Sequence, residues 1–421
     1  MRIEIINTGS ELMLGFVLNT HQQWLCRQLA DIGYMVSRQT AINDSGEAIE
    51  EAVREALTRA DLVITTGGLG PTSDDITRDR IAKMLGCKLR EDAVALRNLE
   101  EFFQQRHRMA PESTRVQALV PEGAIVLQNA HGTAPGLVME IAQGRFRQAG
   151  KSSLLVMLPG PPRELRPMFT DQVIPFLKEN YPLPSEFVCR VLKTTGLGES
   201  LIEERIAGPL RDLTDAGLDL GYCARVGEVD VRCAGFGQEG REQAAAAESK
   251  IRELLGEHIY GSGDDRLEEV VLKLLTEQAK TLAIAESCTG GFVANRITNV
   301  PGASAVLLAG WVTYSNDAKG KCLGVTGATL KEQGAVSEAT AREMAQGALR
   351  VSGADFAVSV TGIAGPSGGT AEKPVGTVFI ALATKESTTV QRQINRYDRE
   401  TFKWVTSQQA LDMVRRAVLT R

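Results

Sequence analysis

Apolar residues in the first part of the chain come in short blocks of two alternating kinds. Ile3–Asn7 is a compact apolar run ending in Thr8-Gly9-Ser10. Between Thr20 and Ile32 the apolar side chains fall at Trp24, Leu25, Leu29 and Ile32, the spacing of one helix face. Tyr34–Ala41 predicts a strand, Gly46–Arg59 a helix, and Asp61–Thr65 a strand running into Thr66-Gly67-Gly68-Leu69-Gly70. Strands and helices in turn predict a parallel sheet with helices on both faces. Ile125–Leu127 and Leu154–Leu158 add strands. Pro159-Gly160-Pro161-Pro162 then breaks the pattern before a helix from Arg163.

The rhythm changes in the middle of the chain. Phe187–Thr194 predicts a strand, Leu197–Ala207 a helix, Asp219–Ala224 with Glu228–Ala234 a hairpin, and Arg241–Leu255 an alanine-rich helix. Gly261-Ser262-Gly263 makes a linker. A helix over Leu267–Ala279 opens a last domain. Its expected strands are Thr281–Ala285, Ala305–Tyr314, Phe356–Val360, Gly376–Ala383 and Val390–Ile394, and its helices Phe292–Thr298, Thr340–Val351 and Thr401–Leu419. The expected architecture is α/β. Two three-layer α/β domains with mainly parallel or mixed sheets, 1–170 and 263–421, are joined by a small α+β connector, 171–262.

A chain of 421 residues exceeds what one core usually supports, in keeping with this division. The net charge of −5 and the 5% aromatic content argue against general nucleic-acid affinity. The seven cysteines, Cys26, Cys87, Cys189, Cys223, Cys233, Cys288 and Cys322, are scattered and form no CxxC pair. That predicts reduced thiols, with neither a disulfide frame nor a zinc cluster. No leader pattern and no apolar stretch of membrane-spanning length is visible, so a cytoplasmic protein with no membrane partner is expected.

Candidate chemistry gathers where glycines follow apolar strands. In Thr65-Thr66-Gly67-Gly68-Leu69-Gly70 and on to Asp74-Asp75, the glycines let backbone approach phosphate oxygens, and a helix start favours anions. Asp74, Asp75 and Glu11 are hard oxygen donors suited to a divalent ion on a pyrophosphate. Alternatively, the two aspartates cap a helix beginning near Ile76. His131-Gly132-Thr133-Ala134-Pro135-Gly136 is explained by turn chemistry alone, and His131 as a structural histidine.

The second constellation is Ala285-Glu286-Ser287-Cys288-Thr289-Gly290-Gly291, a strand ending in a serine and a glycine turn. Tyr314 and Lys319 follow it, then a further glycine loop over Thr361, Gly362, Gly365, Gly368 and Gly369. A metal-free amide hydrolase needs a nucleophile, a base and an oxyanion site. Ser287 is the candidate nucleophile. The four histidines, His21, His107, His131 and His258, all lie upstream, which excludes a Ser-His-Asp triad here. Lys319 is the candidate base and must be neutral to act, while Tyr314 can relay or orient a proton. Thr289, Gly290, Gly291 and the second loop would hold the oxyanion or a substrate phosphate. The bland alternatives are a helix cap for Ser287 and a solvated surface lysine for Lys319; Cys288 is a rival nucleophile.

Several long segments resemble the CinA family of competence/damage-inducible proteins. AESCTGG, GWVTYSNDAK, GAVSEATAREMA, SVTGIAGPSGG and KPVGTV are similar to its C-terminal domain. NTGSELMLG, TTGGLGPTSDDITR, HGTAPG and LPGPPREL are similar to its N-terminal domain, which is related to molybdopterin-binding proteins. In Asn19-Thr20-His21-Gln22 the resemblance would put a second asparagine at His21.

The resemblance implies that the C-terminal domain deamidates nicotinamide mononucleotide with Ser287, Tyr314 and Lys319 and needs no cofactor. It implies that the N-terminal domain hydrolyses the pyrophosphate of ADP-ribose with Mg, Mn or Co, Asp75 standing where the related proteins place an aspartate. A homodimer and small nucleotide partners are expected. Two rival readings remain, a molybdopterin-like binding module without hydrolysis and a non-enzymatic protein of DNA uptake or damage response. The lack of a basic patch weighs against the last.

Overall fold

The computed structural model describes residues 1–147 and 151–420. It divides into two compact units, 1–187 and 188–421.

The first unit is built on a six-stranded sheet. In chain order its elements include β1 (Ile3–Thr8), α1 (Thr20–Asp31), β2 (Val36–Ile42), α2 (Gly46–Leu57), β3 (Leu62–Thr66), α3 (Thr77–Met84), β4 (Ile125–Leu127), β5 (Gly136–Ile141) and β6 (Ser153–Leu158). The strand order is β2-β1-β3-β6-β5-β4, parallel from β2 to β6 and antiparallel in β5 and β4. Every residue of β1, β3 and β6 is buried, as expected of strands covered on both faces. Alternate residues serve opposite layers. Ile3, Ile5 and Ile64 pack with Leu25 and Leu29 of α1, while Ile6 and Val63 pack with Ile49 and Val53 of α2.

The helix that opens at Pro162 passes through a π-helical turn, Phe169–Val173, and ends at Asn180, with Phe169, Val173 and Leu177 in the same core. The strand Gly136–Ile141 and the helix Ala93–Gln104 were not expected from the sequence.

The second unit contains two sheets. The first is four-stranded: β7 (Phe187–Thr195), α4 (Glu199–Ile206), β8 (Asp219–Arg225), β9 (Glu228–Phe236), α5 (Gly237–Leu255) and β10 (Ile259–Ser262), in strand order β8-β9-β7-β10. Ile202 and Ile206 of α4 and Ala244, Ala247 and Ile251 of α5 form its core with Val231 and Cys233.

The second sheet follows α6 (Leu267–Glu277). It comprises β11 (Leu282–Glu286), α7 (Phe292–Thr298), β12 (Leu307–Val312), α8 (Asn316–Leu323), α9 (Glu338–Ser352), β13 (Phe356–Gly362), β14 (Thr377–Ala383), β15 (Thr388–Ile394) and α10 (Arg399–Leu419). Strand order is β12-β11-β13-β14-β15, parallel in the first three and antiparallel thereafter. Ile284 and Val358 face α6, α7 and α10, whereas Ala283, Ala285 and Ala357 face Met344 and Ala348 of α9. The overall class is therefore the mixed α/β architecture with an α+β connector read from the sequence. Among the described residues no helix is long and apolar enough to cross a membrane.

Candidate active site

Ser287 leaves the sheet directly after β11, its amide still bonded to Val360 O of β13 at 2.9 Å. Gly290 (φ 64°) and Gly291 (φ 93°) then turn the chain through the left-handed region, which only glycine adopts freely, and α7 begins. The turn is wrapped around a buried carboxylate. Glu286 accepts hydrogen bonds from the amides of Gly291 (3.0 Å), Val293 (3.1 Å) and Ala294 (2.9 Å). These are the donors that a helix start leaves unpaired. Gly290 N–H donates to Ser287 O. The amides of both glycines thus have partners inside the chain. Thr289 differs, because its hydroxyl is buried with no hydrogen-bond partner among the described residues.

Lys319 reaches this turn from α8. Ser315 Oγ caps that helix by accepting from Ala318 N–H at 3.1 Å. Helical side chains lean towards the N-terminus, so a lysine in the second turn points back at the strand end. Its Nζ donates to Ser287 Oγ at 2.9 Å and to Thr313 O at 2.8 Å. Lys319 is 1% exposed, and the solvated-surface alternative is therefore wrong. The acceptors are uncharged, and burial lowers the amine below its ordinary value, with the Cys288 thiol opposing weakly. Burial also pushes the Cys288 thiol up to about 12, which deprives it of thiolate character at neutral pH.

Tyr314 is placed differently. Its side chain is 60% exposed, and its hydroxyl accepts from Arg399 Nη2 at 2.7 Å rather than meeting Ser287 or Lys319. Arg399 Nη1 donates to Gly365 O at 2.9 Å, so one guanidinium ties the tyrosine to the second glycine loop. Sequence reasoning missed Arg399. The signal was there: it is the first residue of α10, directly after the cap Asp398, where a helix dipole disfavours a cation.

The second loop leaves β13 beside the Ser287 turn. Thr361 is buried and donates to Ala335 O. Gly362 lies so near Thr377 O that a Cβ would sit 2.8 Å away. Gly365 and Gly368 take positive φ, and Gly368 and Gly369 are exposed.

In the first unit, the carboxyl ends of β1, β3 and β6 converge. The strand order reverses between β1 and β3, the switch point at which open α/β sheets bind ligands. Gly67 (φ 97°) packs on Thr8, Gly68 on the Thr77 hydroxyl and Gly70 on the Asp75 carboxylate. Asp75 accepts from Thr72 N–H at 3.0 Å, and Asp74 and Asp75 both lie on the Thr72 hydroxyl, a contact that holds the Asp74 carboxyl below its usual range.

Neither aspartate caps α3. Ile76 occupies that position without a side-chain cap, so the capping alternative is not realised. Glu11 is exposed, its carboxylate against Gly9 at the end of β1. No group of three His, Cys, Asp or Glu side chains converges on a common point among the described residues.

His131 is exposed and its loop is held by Asn129, which donates to Ala134 O and Glu164 Oε2, both at 2.8 Å. Glu164 is buried, and burial raises its carboxyl.

Family models match the chain in three consecutive stretches. Residues 4–179 match a molybdopterin binding domain, 189–261 the damage-inducible protein CinA KH domain, and 264–418 the CinA C-terminal domain. A competence-damage inducible protein of Caldicellulosiruptor saccharolyticus is 44% identical over 100% of both chains. The chain belongs to the CinA family. A CinA-like protein of Akkermansia muciniphila is 44% identical over 98% of this chain and 96% of its own. Among solved structures, the competence/damage inducible protein of Agrobacterium tumefaciens is 45% identical, covering 36% of this chain and 93% of its own, with a TM-score of 0.35.

Proposed function

We propose that the C-terminal domain of this CinA-family protein hydrolyses the carboxamide of nicotinamide mononucleotide to the acid and ammonia. The observation that carries this reading is the buried amine of Lys319 held 2.9 Å from Ser287 Oγ. A lysine kept neutral by burial accepts the serine proton as Oγ bonds to the amide carbon. The protonated lysine then gives that proton to the amide nitrogen as the C–N bond breaks, and ammonia leaves. Water, deprotonated by the same amine, then bonds to the acyl carbon, the ester bond to Oγ breaks, and the lysine returns the proton to Oγ as the acid leaves. Thr289, two residues along the chain from Ser287, has a buried hydroxyl without a partner among the described residues, a candidate donor to charge developing on the amide oxygen. Arg399, Tyr314 and the loop of Gly365 form an exposed polar rim suited to the nucleotide phosphate. Ammonia release from nicotinamide mononucleotide by the purified protein, lost in Ser287→Ala, tests this reading.

For the N-terminal domain we propose hydrolysis of the ADP-ribose pyrophosphate. The support is the convergence of Gly67, Gly68 and Gly70 at the switch point beside Asp74 and Asp75. Two carboxylates fit a magnesium-like ion, which keeps several waters and takes its remaining ligands from substrate phosphate. Asp74 and Asp75 would hold it; Glu11, whose carboxylate lies against Gly9, does not converge with them. When bound, such an ion supplies charge neutralisation at the phosphates and orients water. The glycine backbone and Thr77 hydroxyl would position the pyrophosphate. Assay with ADP-ribose and Mg, Mn or Co tests it. No cleavage with any of these ions would favour a molybdopterin-like binding role.

A further inference from the structure

The Ser287 turn opens into α7, and α7 is held from a side the proposed chemistry does not use. Arg296 of α7 is 3% exposed. Its guanidinium donates to Ser407 Oγ (2.9 Å) and Gln408 Oε1 (2.7 Å) of α10 and to Glu268 Oε2 (2.6 Å) of α6. It also lies 4.6 Å from the centre of the Trp404 ring. The same ring stands 5.9 Å from that of Phe292, the residue after Gly291. Trp404 Nε1–H donates to Val226 O at 3.0 Å, at the tip of the β8–β9 hairpin of the connector. The next residue, Gly227 (φ 79°), lies against Gln408, where a Cβ would sit 3.5 Å from Cγ. The hairpin tip therefore meets α10 at two residues, and both of those also touch Arg296 of α7.

We propose that the connector hairpin tip, acting through Trp404, is a positioning device that fixes α7, and with it the Ser287 turn, for the hydrolytic reaction. The α7 helix has 7 residues, far short of what holds a helix together without tertiary support. Its orientation must come from packing, and the Trp404–Arg296–Gln408 cluster supplies it. A shift of α7 passes directly to the catalytic serine, because the first-turn amides of α7 hold Glu286 and Glu286 precedes Ser287. Small displacements matter at a reacting centre, where a misplacement of about 1 Å costs on the order of a hundredfold in rate. Trp404 touches neither Ser287 nor Lys319, so it is a positioning residue. The kinetic arm of its test rests on the proposed deamidase reading, while the structural arm does not.

The test uses the full chain with Trp404→Phe, which keeps an aromatic ring for Arg296 and Phe292 while removing the Nε1–H donor together with the second ring of the indole. Hydrogen exchange at the amides of Gly291, Val293 and Ala294 should quicken, with the melting midpoint of the protein little changed. The kcat for nicotinamide mononucleotide should fall about tenfold with KM within about twofold, the signature of lost reactive geometry rather than lost binding. The acid limb of kcat should move to higher pH, because water admitted beside Lys319 relieves the burial that depresses it. The groups facing that amine are Ser287 Oγ, the carbonyls of Thr313 and Tyr314, and the Cys288 thiol, while the two carboxylates of these elements are engaged elsewhere, Glu286 by the amides of Gly291, Val293 and Ala294 and Asp317 by Lys321. Phe292→Leu, which loosens the same cluster from the α7 side, should act in the same direction and serves if Trp404→Phe does not fold. Unchanged exchange and an unmoved acid limb in the folded variant would overturn the proposal. If the wild-type protein leaves nicotinamide mononucleotide untouched, the deamidase reading falls and the exchange arm alone decides whether the hairpin holds the turn.

Discussion

At the scale of single residues, the site turns on one buried amine. Lys319→Arg should be nearly inactive, because arginine keeps its proton and cannot accept one from Ser287. An arginine variant with near-wild-type kcat would show that the charge, not the base, matters. The same burial has a thermodynamic signature. The folded-state pKa of Lys319 lies below the unfolded value of 10.5. Between the two, the unfolded chain binds more protons, so this group adds stability as pH rises and withdraws it as pH falls. Lys319→Met lacks that dependence. Denaturant midpoints of the two proteins should therefore shift in favour of wild type as pH rises from neutral towards 10.5. Parallel curves would mean that the amine is not depressed.

Cys288 offers a second residue-level check. With its thiol pushed up to about 12, it should resist alkylation in the native protein at neutral pH, while exposed Cys223 and Cys322 react. Cys288→Ala should retain most of the activity that Ser287→Ala loses by about a thousandfold or more. Equal losses would restore the cysteine as a rival nucleophile.

At the scale of elements, the Ser287 turn is a strand end closed by a carboxylate. Glu286→Gln keeps an acceptor but removes the charge that three amides face and adds an NH2 that they cannot accommodate. Loss of buried charge-assisted bonds of this kind costs about 1–3 kcal/mol. Thermal unfolding should show that loss together with a lower kcat, and a variant of wild-type stability would contradict the bond pattern.

This turn was legible in the sequence because its glycines and serine follow an apolar strand. The partner helix α8 was not. Only Lys319 and Leu323 of Asn316–Leu323 are buried, so no apolar stripe marks it, and Gly320 interrupts it. Its signal was the cap Ser315 alone. Helix α10 was expected from Thr401, where its buried face becomes dense. The two preceding residues, which bring Arg399 to Tyr314, have no apolar mark. The Asp74-Asp75 pair was misread as a possible cap for a different reason. An aspartate one or two residues before a helix looks the same in sequence whether it bonds the helix amides or, as here, a threonine in its own turn.

At the scale of the whole molecule, the two proposed sites fall on two different α/β sheets. The parallel strands were readable because they alternate with helices, whereas the antiparallel strand Gly136–Ile141 was not expected. The connector was readable by its change to β-α-β-β-α. What the sequence could not show is which loops converge, since Thr8, Gly67 and Gly160 are brought together only by the strand order β1-β3-β6.

The proposed chemistries differ in their need for a metal, and that difference makes the two sites separable in one sample. A chelator should abolish ADP-ribose cleavage, whose proposed ion rests on Asp74 and Asp75, and should leave amide hydrolysis intact, because Ser287 and Lys319 form their pair without any carboxylate ligand. Asp75→Asn should weaken the metal dependence of the first reaction alone. It should also loosen the Thr72–Asp75 turn only modestly, since an amide oxygen still accepts from Thr72 N–H. The measurement is a metal titration of both activities in the same preparation. Loss of both reactions to chelator would refute two independent sites, because no residue of the serine–lysine pair has a metal to lose.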